Sequence, residues 1–195
     1  MISLRKIFQS APAKLRGLIL FPLLLILASC SGGFSSIYNF DYPLTEKTAK
    51  SNSTLLEIKI PKGWFVAEDN EHNSTDLWLV RDDYSATIKF VMISVNDDDS
   101  RNVLATQLER IADLNKLLIK TKLGKEFKGF SEEDVMENGT QRFLAYQYSD
   151  QKNQLVRTVI FKRGIKYFEA TAYVLNSANY MEVFKAQNSV LASLK

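Results

Sequence analysis

Cysteine, histidine, proline and glycine are all scarce in this 195-residue chain, which holds one Cys, one His, four Pro and eight Gly. A single cysteine excludes an internal disulfide and a cysteine-built zinc site. A single histidine, His72, excludes multi-histidine metal sites and narrows acid–base chemistry. A Ser–His–acid triad would need His72, and no Gly-x-Ser-x-Gly elbow accompanies it; between Glu71 and Asn73 it reads as a solvated loop residue. The glycines form neither G-x-x-x-x-G-K nor G-x-G-x-x-G, which excludes a phosphate-cradling loop of either type. Strong charge of one sign is missing too. The 25 Lys+Arg and 22 Asp+Glu include Arg5, Lys6, Lys14 and Arg16 in an acid-free start; removing those four leaves 21 cations against 22 acids from Cys30 onward, net −1. No basic footprint remains in the body, so nucleic acid is not an expected partner. No apolar run approaches the roughly 20 residues that span a bilayer; the run over 17–28 has twelve, with Pro22 inside it.

What is present begins with that run. A basic stretch over 1–16, a short apolar core and small residues at its end have the form of a secretory signal peptide over 1–29. It closes in Leu27-Ala28-Ser29-Cys30, a tetrapeptide that resembles the lipobox of bacterial lipoproteins. The resemblance implies cleavage between Ser29 and Cys30, thioether lipidation of Cys30 and acylation of the new terminus. A buried or free thiol is the competing reading, and the chain's lack of any other thiol counts against it. Several acyl chains together hold a protein stably where one is marginal. Ser31 follows the cysteine where an Asp would retain a lipoprotein at the inner membrane, so the expected location is the cell envelope, at the outer membrane facing the periplasm.

Residues 30–54 read as the lipidated cysteine and a tether, rich in Ser, Thr, Asn and Lys and lacking a clear period. Phe34, Ile37, Tyr38, Phe40 and Tyr42 are unusual in a spacer and suggest that part of it lies against the domain. The domain itself is expected over 55–195. Leu56, Ile58 and Ile60 alternate with Glu57 and Lys59, the pattern of a half-buried strand over 55–60, and Pro61-Lys62-Gly63-Trp64 turns into a short strand over 65–67. Strands over 75–81 and 84–95 follow. Then Leu104, Leu108, Ile111, Asn115 and Leu118 recur at helical spacing from Ser100, with Asp97–Asp99 before them, Lys120 and Lys122 in the later turns, and Gly124 as the stop. Four more strands are expected over 132–137, 141–149, 154–162 and 165–174, turning at Asn138-Gly139, 150–153 and Arg163-Gly164. A second helix over 178–194 starts with capping-box spacing at Asn179 and Glu182.

Strands, helix, antiparallel meander, helix is an α+β order without βαβ crossovers. With those loops, one sheet face collects Leu144, Tyr146, Tyr148, Leu155, Val159, Phe161, Phe168, Ala170, Ala172 and Val174, with Arg157 among them. Ala170 and Ala172 leave room for a close helix. The other collects Phe143, Ala145, Val156, Ile160, Ile165, Tyr167 and Tyr173, mixed with Gln147, Thr158, Glu169 and Thr171. A one-residue slip would exchange these lists. Apolar groups on both faces predict a sheet covered on both sides.

The run from Leu56 to Trp64, ending Pro61-Lys62-Gly63-Trp64, is similar to the opening of PsbP-like domains. Tyr167-Phe168-Glu169-Ala170-Thr171-Ala172, followed by a helix closing on Val190-Leu191-Ala192-Ser193-Leu194, resembles their end. The group takes in Mog/PsbP proteins and bacterial lipoproteins of the DcrB type. The resemblance covers about 55–195. It implies an α/β/α sandwich with a central antiparallel sheet and two main helices, and a domain that binds or helps assemble other proteins, with no reaction and no cofactor.

The remaining candidates are weighed on their residues. Asn96-Asp97-Asp98-Asp99 could attract Ca²⁺, but Arg101, Asn102 and Leu108 stand where an EF-hand loop needs other residues, and a helix N-terminal charge accounts for the acids. Glu132-Glu133-Asp134 reads as a solvated turn, and Trp64 and Trp78 as core aromatics. Glu169 is expected either hydrogen-bonded in the core or part of a concave site. If the mixed face is uncovered, Gln147, Thr158, Tyr167, Glu169 and Tyr173 form the candidate binding surface. The expected function is a non-catalytic, membrane-anchored envelope lipoprotein with an envelope protein partner. A small-ligand-binding lipoprotein and a carboxylate-dependent hydrolase are the alternatives.

Overall fold

Alternating burial builds the sheets of this chain. The computed structural model describes residues 40–67, 75–94, 107–176 and 179–195; the expected leader, Ser29, Cys30, His72, Asp97–Asp99 and Leu104 lie outside them. Among the described residues the order is β1 (Leu44–Lys50), β2 (Glu57–Pro61), β3 (Trp64–Val66), β4 (Leu77–Arg81), β5 (Ala86–Ile93), α1 (Gln107–Leu123), β6 (Asp134–Asn138), β7 (Gln141–Ser149), β8 (Leu155–Arg163), β9 (Lys166–Val174) and α2 (Tyr180–Ala192). Seven strands form one antiparallel sheet in the order β3-β4-β5-β9-β8-β7-β6, and β1 pairs with β2 in a separate hairpin. The chain leaves β5, crosses with α1 to the far edge and meanders back through β6, β7 and β8, so that β9 closes beside β5 over eight residue pairs from Ala86↔Val174 to Ile93↔Tyr167.

Each face carries its own core. On one, Phe90, Phe143, Phe161, Phe168, Ala170 and Ala172 pack with Val183, Phe184, Val190 and Leu191 of α2 and with Ile58 and Ile60 of β2 and Leu56 just before it. The two alanines do admit the helix closely: the Gln187 amide of α2 donates to the Ala170 carbonyl at 2.8 Å. On the other face Leu144, Tyr146, Ile160 and Tyr167 meet Ile111 and Ala112 of α1. The sheet is therefore covered on both sides, an α+β three-layer sandwich as expected.

Several expectations are corrected. The stretch read as a tether holds β1, whose Thr48, Ala49 and Lys50 pair with Lys59, Ile58 and Glu57. Leu118 is exposed, because the sheet-facing row of α1 runs through Leu108, Ile111, Ala112 and Ile119. Asn179 is the N-cap of α2 but makes no side-chain cap hydrogen bond, and Glu182 instead pairs with Arg81 at 3.6 Å. In the β7–β8 hairpin Ser149 pairs with Leu155, one residue later than a loop over 150–153 requires. Asn153 takes φ 58° and Asp150 pairs with Gln154 through N–H to carbonyl at 3.0 Å, the three-residue loop with a left-handed third residue. That single step moves Leu144, Tyr146 and Tyr148 to the α1 face and Phe143, Ala145 and Gln147 to the α2 face. Ile165 sits in the β8–β9 turn, 90% exposed.

Candidate functional site

Glu169 is a carboxylate in the middle of a central strand, with Val91 of β5 and Ile160 of β8 as its lateral neighbours. Apolar flanks cannot solvate a carboxylate, so donors must come from elsewhere. They come from α1 and from two residues along β9. The Asn115 amide donates to Glu169 Oε2 at 2.6 Å, and the Thr171 hydroxyl donates to Oε1. Asn115 Oδ1 in turn accepts from the Tyr146 hydroxyl at 2.5 Å, and the Thr171 and Thr158 hydroxyls lie 3.4 Å apart. Tyr146 is wholly buried, while Tyr148, Glu169 and Tyr173 are partly buried.

This setting acts on the phenols. Burial, and after it the Glu169 charge, holds Tyr146 well above the ordinary phenol range. Tyr148 is raised by burial, then by neighbouring Tyr173 and Glu169, and Tyr173 by burial, then by Glu169. At neutral pH these three phenols keep their protons, and Tyr146 donates its own to Asn115. The shifts carry these three phenols away from the range where a general acid or base works best. Its geometry ties α1 to the sheet. Lys116 strengthens the same joint, pairing with Glu133 and lying 5.2 Å over the Tyr146 ring, and Arg142 of β7 reaches Glu109 at 2.6 Å.

Of the five residues expected to line a surface, four share the α1 face, but Thr158 and Tyr167 are buried beneath it and Glu169 is bonded inward. Gln147 stands on the α2 face, opposite Arg157, for the register reason given above. Glu133 has a fixed partner in Lys116, contrary to the solvated-turn reading. Trp64 belongs to the α2-side core, as expected. Trp78 is partly buried on the other face, with the Lys89 ammonium 4.4 Å from its ring centroid. Sequence reasoning did not bring Asn115, Tyr146 and Tyr148 to Glu169. The available signal was Asn115 itself, a lone amide within an apolar helix stripe, which calls for a polar partner on whatever that stripe covers. Among the described residues no group of three His, Cys, Asp or Glu side chains is arranged to hold a metal ion.

A seven-stranded antiparallel sheet with one helix on each face is the PsbP-like form of the α+β sandwich. The solution structure of cyanobacterial PsbP (CyanoP) from Synechocystis sp. PCC 6803 is similar at a TM-score of 0.53 and 12% sequence identity, over 85% of this chain and 96% of that one. At that identity the likeness is one of fold. No family model matches the sequence, and no curated protein matches it.

Proposed function

We propose that this protein is a non-catalytic envelope lipoprotein, held by a lipid anchor at Cys30, whose PsbP-like domain binds or helps assemble a protein partner. The observation that carries the reading is Leu27-Ala28-Ser29-Cys30 at the end of a short apolar run, ahead of a folded sandwich. The Glu169 cluster supports it, because its carboxylate spends both oxygens on Asn115 and Thr171 inside the fold. Tethering supplies the mechanism: an anchored domain meets membrane partners at a raised local concentration. The test is crosslinking in intact membranes, comparing the native chain with Cys30→Ser. Joint loss of membrane attachment and of the crosslinked partner is the expected outcome. A substituted chain that stays membrane-bound at full level would refute the lipid anchor. A blank for partners in both forms, with a small molecule retained by the purified domain, would favour the ligand-binding alternative.

A further inference from the structure

α1 has two apolar rows. Leu108, Ile111, Ala112 and Ile119 face the sheet. Leu114, Leu117 and Leu118 are spaced i, i+3 and i+4 and are 51%, 59% and 69% exposed. At 100° per residue the centre of this second row lies about 130° around the helix from the first. Thr121 extends it at i+7, and its hydroxyl is turned back onto the Leu117 carbonyl at 2.8 Å, which leaves less polarity facing outward. Lys120 and Lys122 are exposed on the two sides of the row, and Lys125 follows. Of the helix's two acids, Glu109 binds Arg142 at 2.6 Å, while Asp113 is exposed on the Lys120 side of the row, 3.9 Å from Lys116. Among the described residues no carboxylate stands within 4.0 Å of the Lys120, Lys122 or Lys125 ammonium.

A convex leucine row flanked by lysines on both sides matches a plane that is apolar below and anionic above. Leucines can enter the acyl boundary while the lysine stems reach up to phosphates. We propose that α1 docks the domain on an anionic phospholipid bilayer through Leu114, Leu117 and Leu118, with Lys120 and Lys122 as headgroup contacts. The proposal draws on the lipid-anchor reading only for how the domain reaches the surface. Tyr42 is tied to Ser189 of α2, so residues 31–41 set the reach, at most about 38 Å, against a radius of gyration of about 15 Å for a domain of this size. An anchor of that reach does not choose a face, and the leucine row does.

The lipidated protein carries no free thiol, so Thr121→Cys offers a single site for a polarity-sensitive probe beside an intact leucine row, and Ile165→Cys offers an exposed control far along the sequence. Both labelled proteins are reconstituted in neutral phosphatidylcholine vesicles and in vesicles with about 30% phosphatidylglycerol. The expected result is blue-shifted emission and quenching by nitroxide lipids at 121 and not at 165, in the anionic vesicles only. Leu117→Ser with Leu118→Ser, or separately Lys120→Glu with Lys122→Glu, should bring the 121/165 quenching ratio down to about one, and about 0.5 M salt should lower it. A water-like probe at 121 on anionic vesicles overturns the proposal, as does an equal signal on neutral ones. A shift that grows with protein concentration without vesicles also overturns it, in favour of a second copy as occupant. If the unsubstituted protein takes up the thiol probe, Cys30 is free and the anchor reading fails. The docking face is then decided by flotation of that chain with the same two vesicle types, where absence of anionic-selective binding counts against it.

Discussion

Two ionic side chains sit in the middle of this sheet, one on each face, and each brings its own solvation. Arg157 is wholly buried; its guanidinium donates to Gln187 Oε1 at 2.7 Å and Asn188 Oδ1 at 2.8 Å, and lies 5.4 Å over the Phe184 ring. This explains the polar Gln187-Asn188-Ser189 run on the buried side of α2, where Ser189 Oγ accepts the Tyr42 N–H at 3.0 Å. Glu169 is the anionic counterpart, held by Asn115 and Thr171. Glu169→Gln turns one acceptor into a donor facing a group that already donates, and should cost about 1–3 kcal/mol. A lowered urea midpoint at unchanged m checks this. The same substitution removes a charge that raises all three nearby phenols. Their folded pKa values lie above the unfolded value near 10, so the native chain keeps protons that the unfolded chain loses, and stability is level below about pH 10 and falls as pH rises further. In Glu169→Gln that alkaline fall should be shallower, and ultraviolet phenolate absorbance should rise at lower pH than in the parent. An unchanged phenol titration would disprove the coupling.

At the scale of elements, the hairpin loops decide which side chains share a face. Gly139 and Gly164, both at φ 59°, occupy the first loop position, followed by Thr140 and Ile165, instead of the second position that the sequence reading assigned them. The resulting shift is two residues and leaves every side chain on its expected face. The β7–β8 loop differs, because Asn153 adopts the left-handed conformation and adds one residue. Asn is among the few side chains that accept φ near +60° readily, and a β-branched residue is not. Asn153→Val should therefore lose about 1–2 kcal/mol in a urea melt, while Asn153→Gly should lose clearly less. Equal losses in both would point to the Lys128 contact with the Asn153 side chain, and not the backbone, as the stabilising feature.

On the scale of the whole molecule, the fold reaches back further than the 55–195 domain legible in the sequence. Lys50, Ala49 and Thr48 add a strand to β2, and the end of α2 is stitched to the same hairpin through Ser193 Oγ, which accepts the Lys59 N–H at 2.9 Å. A chain beginning at Leu55 leaves β2 as an unpaired edge and removes the bond between Tyr42 and Ser189. It should be less stable by about 2 kcal/mol or more, or should aggregate through that edge. A chain beginning at Phe40 keeps β1 and the bond between Tyr42 and Ser189, and should have the higher urea midpoint of the two. Equal midpoints for the 40 and 55 starts would remove β1 from the cooperative unit. The strand escaped notice because Leu44-Thr45-Glu46-Lys47-Thr48-Ala49-Lys50 buries only Ala49 fully, so it lacks the alternation that marks Leu56, Ile58 and Ile60.

Local periodicity and turn chemistry were sufficient for the order of strands and helices from β2 onward, the α+β class and the double-sided core. These properties depend on side chains a few residues apart, whose spacing is written along the chain. The tertiary structure alone decided which residues meet Glu169. Asn115, Tyr146 and Thr171 are far apart along the chain or set by one loop residue, and an extra residue at Asn153 exchanges the faces of a nine-residue strand. It also decided which row of α1 faces the sheet. Two apolar rows on one helix are equivalent to a period of 3.6, and only packing against β7 and β8 leaves Leu114, Leu117 and Leu118 facing outward.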